Sequence, residues 1–237
     1  MCAKPYLHRF DVLRADGTNY LVACTLATHK STRDDWSTPG GVYVARLPEH
    51  YEGPLDLRLL YDGLFRNHGY FHLSEGSGLV ACETGIYRIE APTGKRDWGF
   101  ERLMPQPSSD VAALDIDGDG ELEYAVIEPF HGCYFRIYKK IDGHYRMIFE
   151  HPEVTDFYHV VQAGTLCGRK VFVGGCRRGK QQLFFLYWDE TKKCFACNTV
   201  AEGTGPSNAV IYNSNNGDYI LSADREVGQA AVYKVEA

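Results

Sequence analysis

The sequence is poor in methionine and tryptophan, with three of each in 237 residues. It lacks any apolar run approaching the roughly 18 residues that a bilayer span needs. It also lacks an excess of basic charge: Lys and Arg total 25 against 31 Asp and Glu, for a net charge of −6. The first absence leaves the core to aliphatic, Tyr and Phe side chains. The second excludes a helical membrane protein. The third argues against nucleic acid as the main partner, since binding to phosphate backbones rests on clustered Lys and Arg. No apolar stretch follows Met1, so no signal peptide is expected and the cytoplasm is the expected compartment. Among linear motifs, G-x-S-x-G, H-E-x-x-H, a Walker loop and a Rossmann fingerprint are all missing.

Against these absences stand 13% aromatics, with 16 Tyr and 12 Phe, and 24 Gly scattered along the chain. That mixture suits many short strands joined by turns. The eight cysteines invite a disulfide reading, but the chain is well above the size of disulfide-stapled domains. Cys24 and Cys82 each end the string Leu-Val-Ala-Cys, which reads as a buried strand with Cys as a small apolar residue. Cys194-Phe-Ala-Cys197 is a lone CxxC, too little for a structural zinc site.

Five segments repeat one order: a polar opener on a first strand, a Gly/Asp/Asn turn, an apolar second strand, a loop, and a third strand with Tyr or Phe. The openers are His8, His68, Asp110, His159 and Asn208, in steps of 60, 42, 49 and 49 residues. Fourth strands are expected near residues 57–61, 99–103, 145–149 and 195–200. Four-stranded units of about 40–50 residues are the mark of propeller blades. A β-sandwich is the competing architecture, because regular strand spacing fits both. The expectation is one domain over residues 1–237, an all-β five-bladed propeller of about 19 strands. Its blades lie near 6–61, 66–103, 108–149, 157–200 and 206–237. The last unit has only three strands, and its open edge offers a place for a second copy to pair.

In the third unit, Asp115-Ile-Asp117-Gly-Asp119-Gly-Glu-Leu-Glu123 resembles the DxDGDGxxE turn of FG-GAP and VCBS-type propeller repeats. The resemblance covers one blade strongly and the other four by pattern, and it implies a propeller fold without implying an activity. Asp115, Asp117, Asp119 and Glu123 place oxygens at alternating positions, with glycines that let the backbone wrap a Ca²⁺ ion. The alternative is a tight Asp-Gly turn holding no ion.

In an up-and-down blade the openers should ring one channel mouth. His8, His68 and His159 with Asp110 would there form a candidate site for a divalent transition metal, Zn or Mn. The alternative is that they hydrate the mouth. The loops after second strands should border it and supply His29, Lys30, Arg33 and Trp36, Glu83, Glu128 and His131, Arg177, and Arg225. Asn208 is the opener of the last unit. Arg and Lys would hold anionic groups, and Trp36 would stack on a sugar. His8, His68, His159, Asp110 and His29 are the candidate catalytic residues. In layout such a site is similar to those of propeller-fold polysaccharide lyases and sugar dehydratases, although no linear motif of those families is matched. The resemblance implies a metal-dependent lyase, dehydratase or isomerase on a small-molecule or oligosaccharide substrate. A glycosidase using Asp110, Glu83, Glu128 or Asp224 stays open. So does a non-catalytic propeller that binds a glycan or a protein.

Overall fold

The computed structural model describes residues 4–50 and 53–236. Met1, Cys2 and Ala3, which bear on the question of a final strand, lie outside the described residues, as do Tyr51, Glu52 and Ala237. The chain is all-β, with a single 3₁₀ turn at Arg225–Val227 among the described residues. Four sheets have four strands and the last has three. Among the described residues no helix is long and apolar enough to cross a membrane. The chain divides into two compact units, Met1–Asp110 and Val111–Ala237.

The first unit holds two antiparallel sheets. One is β1 (Leu7–Ala15), β2 (Thr18–Thr25), β3 (Gly40–Arg46) and β4 (Arg58–Leu64). The other is β5 (Gly69–Ser74), β6 (Ser77–Cys82), β7 (Gly85–Glu90) and β8 (Gly99–Met104). Each sheet is a meander in chain order, as the sequence pattern predicts. Short Gly-containing turns set the register: Asp16 and Gly17 both have positive φ, 48° and 74°. That is the signature of the two-residue hairpin turn whose twist matches paired strands. Between the sheets Leu13, Val22, Cys24, Val42, Val80, Cys82 and Ile89 form one core. Cys24 and Cys82 are both fully buried, as their shared string predicts. Burial pushes the Cys24 thiol up to about 12. Each buried aliphatic side chain contributes roughly 1.5–3 kcal/mol.

The second unit contains β9 (Asp110–Leu114, whose first residue closes the first unit), β10 (Glu123–Glu128), β11 (Tyr134–Ile141) and β12 (His144–Glu150). Then follow β13 (Tyr158–Leu166), β14 (Arg169–Cys176), β15 (Leu183–Asp189) and β16 (Cys194–Ala201). The last sheet is β17 (Pro206–Ser214), β18 (Gly217–Asp224) and β19 (Gln229–Val235). Two second strands are covered on both faces: every residue of β6 and β10 is buried. Fourth strands such as β4 and β12 are mostly exposed edges. The lone CxxC lies on β16. Residues three apart on a strand face opposite sides about 10 Å apart, beyond disulfide reach. All described cysteines are free thiols.

Candidate functional site

Three first strands carry a register shift at the same place. On β1 the pairing runs Leu7↔Thr25 then Arg9↔Cys24, so His8 is an extra residue. On β13 it runs Tyr158↔Cys176 then Val160↔Gly175, which makes His159 the extra residue. On β17 the shift falls between Pro206 and Asn208, and Ser207 takes that position. A bulge re-aims the side chain it displaces and is frequent beside functional sites. By this register the counterpart of His8 and His159 in the last sheet is Ser207, one residue before the expected Asn208.

In the first unit, His8, His68 and Asp110 lie side by side. The His8 and His68 rings lie 4.4 Å apart between centroids. His8 is exposed, whereas His68, directly before β5, is only 3% exposed. His68 Nδ1 lies 3.1 Å from the Ser109 carbonyl oxygen. A carbonyl can only accept, so Nδ1 carries the proton and Nε2 is the basic nitrogen of neutral His68. Arg9, which sequence reasoning missed, ties the group together. Its Nε donates to the His68 carbonyl at 3.3 Å and its guanidinium pairs with Asp110 Oδ2 at 3.2 Å. Gly69 permits this approach, because a Cβ there would sit 2.7 Å from Asp110 Cα.

The second unit repeats the device. His159 Nδ1 lies 2.7 Å from the Ser207 carbonyl oxygen, again fixing the Nδ1–H tautomer. His131 stacks on Phe130 at 4.0 Å and lies 5.2 Å from the His159 ring. Phe157 packs edge-on against both imidazoles, and Arg177 stands 4.4 Å over its ring. Phe157 was also missed; its position directly before β13, two residues ahead of the opener His159, was the available signal.

Several expected binding residues are engaged elsewhere. Arg177 is buried and pairs with Glu226 at 2.7 Å. Glu128 is buried and accepts from Arg136 at 2.9 Å and from the Tyr138 hydroxyl at 3.0 Å. Glu83 pairs with Arg66 at 3.1 Å. Asp224 is buried and accepts from Ser222 and Tyr233. His29, Arg33, Asn208 and Arg225 are exposed. The loop over 28–38 is ordered from within: Asp35 accepts from the backbone N–H and hydroxyl of both Ser31 and Ser37, at 2.6–2.9 Å. Those bonds, led by the Ser37 hydroxyl, hold its carboxyl well below the usual carboxylate range. Lys30 Nζ stands 3.1 Å over the Trp36 ring, covering a face that a sugar would need. A cavity of about 520 Å³ opens beside Leu7, Phe10, Leu21 and Leu57. Its apolar wall offers no acid or base.

Do these residues suit the metals that the pattern implies? For a transition metal, the Nδ1–H···O=C bonds of His68 and His159 are the orienting contacts that ligating histidines use, so the imidazoles fit. Asp110 fits less well, because its charge is already matched by Arg9. For Ca²⁺ in the loop over 115–123, oxygens of Asp115, Asp117 and Glu123 lie within 4.8 Å of one another, but a lysine already stands among the carboxylates and competes for them. Lys139 Nζ lies 2.7 Å from Asp117, 2.8 Å from Asp119 and 2.5 Å from Glu123, while Lys170 pairs with Asp115 at 3.1 Å. Burial favours neutral Lys139, but the three carboxylates outweigh it and raise its pKa above the ordinary value.

No protein-family model matches the chain, and no curated protein matches it. Solved structures share its fold, among them two from Bacteroides species. One is a candidate 6-phosphogluconolactonase from Bacteroides fragilis, 13% identical, with a TM-score of 0.54, matched over 96% of this chain and 76% of that one. The other is a candidate 6-phosphogluconolactonase from Bacteroides uniformis, 12% identical, with a TM-score of 0.52, matched over 95% and 80%. Both belong to a propeller-type fold. At these identities the likeness is one of fold alone.

Proposed function

We propose that the five sheets are the blades of one propeller and that the protein is a sugar-active enzyme using an imidazole base. The observation that carries the reading is the fixed Nδ1–H tautomer of His68 beside the Arg9–Asp110 pair. It leaves Nε2 as the basic nitrogen of the imidazole, next to a guanidinium suited to an anionic sugar group. The names of the two structural neighbours favour hydrolysis of a sugar lactone. In that reaction Nε2 of His68 takes a proton from water as its oxygen attacks the lactone carbonyl. The ring C–O bond then breaks, and the proton passes to the leaving alkoxide. His8, exposed against His68, exchanges protons with solvent. The same base would serve a lyase, dehydratase or isomerase, which abstracts a proton beside a carbonyl or carboxylate. A divalent Zn or Mn ion, where bound by the opener imidazoles, would supply Lewis acidity toward the developing oxyanion.

The test is a panel of sugar-acid lactones, with and without phosphate esters, together with uronic-acid glycans. His68→Gln should lower kcat/KM for any substrate turned over by about 10²–10⁴-fold, while Arg9→Met should chiefly raise KM for anionic substrates. No turnover across the panel, or full activity in His68→Gln, would sink the proposal. The internally ordered loop over 28–38 favours a second reading, a non-catalytic glycan- or protein-binding propeller. Binding without turnover that is lost in Asp35→Ala, which removes the bonds ordering the loop, would select it. The open edge of β19 is where a second copy would pair.

A further inference from the structure

We infer that the ammonium of Lys139 takes the place of a bound cation in the loop over 115–123, so that this turn is held by the chain's own charge and needs no calcium. The inference is independent of the sugar-active reading. It rests first on register: Lys139 on β11 is the direct cross-strand partner of Glu123 on β10. That pairing delivers the side chain into the concave side of the turn. There its nitrogen is within 2.8 Å of carboxylate oxygens from Asp117, Asp119 and Glu123.

Three of the four carboxylates therefore converge on one nitrogen. A calcium ion needs six to eight oxygens at about 2.3–2.6 Å, and it would have to claim the space that the ammonium fills. The fourth carboxylate, Asp115, lies within 4.8 Å of Asp117 and Glu123 and pairs through Oδ2 with a second lysine, Lys170. Burial supports the same assignment. Glu123 is fully buried and Lys139 is 9% exposed, so this is an internal pair and not a solvated surface bridge. Glu123 is also fixed from its other oxygen, which accepts the Ile116 N–H at 2.8 Å. The carboxylate thus spans backbone and ammonium, joining the start of the turn to β11. A calcium ion would make that connection reversibly; a covalently tethered ammonium makes it permanently and without dependence on metal supply.

The experiment is thermal melting of the full chain in millimolar calcium chloride and in EGTA, with calorimetric titration of calcium. Wild type should melt within about 1 °C in the two conditions and take up no calcium. A calcium-raised Tm, or one calcium bound per chain, would overturn the inference without touching the sugar-active reading. Lys139→Met removes the ammonium while keeping much of its volume. It should lower Tm in EGTA by roughly 5–15 °C, because it strands a buried carboxylate; a wild-type Tm in EGTA would reject the role given to Lys139. Asp117→Ala supplies a second arm. Equal loss of Tm in both media supports the tethered ammonium, and loss confined to calcium refutes it.

Discussion

Gly69→Ala perturbs the first unit's opener cluster through a single methyl group. An added Cβ would lie 2.7 Å from Asp110 Cα, 2.8 Å from Asp110 Oδ1 and 2.8 Å from the Ser109 carbonyl oxygen. Two of these three are backbone atoms, so no flexible side chain can swing aside to make room. Nonbonded carbons prefer about 3.5–4.0 Å, so the two segments must part by about 1 Å. Overpacking of this kind costs about 1–3 kcal/mol. At about 2–4 °C per kcal/mol for a chain of this size, Tm should fall by roughly 2–12 °C. The backbone at Gly69 is not left-handed, so the loss comes from crowding and not from φ/ψ strain. The same displacement moves the Ser109 carbonyl from His68 Nδ1 and Asp110 from Arg9. Thermal melts of Gly69→Ala, Arg9→Met and the double variant test both parts. The double variant should lose less than the sum of the singles, because the first change already breaks the ion pair that the second removes. A Gly69→Ala protein that melts with wild type, or strictly additive losses, would refute the close approach.

Two further outcomes follow from buried titratable groups. His151 is 5% exposed, and its pKa is lowered mainly by burial, with Glu153 opposing and Lys180 reinforcing the shift. Its Nδ1 lies 2.9 Å from the Tyr158 hydroxyl and its Nε2 3.7 Å from Cys197 Sγ. The unfolded chain therefore binds a proton below the ordinary value of 6.5 that the folded chain refuses. Stability should fall as pH drops through 6.5 and level off below the lowered folded value. In His151→Gln that part of the pH slope should vanish; identical slopes in the two proteins would reject it. Thiol titration with a disulfide reagent should label Cys194 first. Cys197 should follow slowly, its thiol pushed up to about 11 by burial toward His151. Cys24, Cys82 and Cys176, all buried, should react only on unfolding; early labelling of any of these three would contradict the packing.

What the sequence makes legible is the part of the fold written in local code. Asp16-Gly17 and Cys167-Gly168 take the paired positive φ values of hairpin turns. The alternating or unbroken apolar runs between such turns became the strands, including the three-stranded final sheet. What stays hidden is whatever depends on cross-strand register. A bulge adds a residue without any characteristic residue type, so the opener of the last unit is read as Asn208, although Ser207 takes the displaced position. Neighbours across sheets are hidden for the same reason. Arg9 stands beside the opener His8 in plain view, yet its link to Asp110 joins residues 101 apart in the chain. Lys139 is an intermediate case. Pairing Tyr124 with Tyr138 across the hairpin would have set Lys139 opposite Glu123 and exposed the ammonium among the carboxylates. A motif that names four acidic residues says where negative charge gathers, but only the strand register says which cation answers it. Here the register brings a lysine, and the resemblance to a cation-binding turn and the chemistry of the turn part company at that residue.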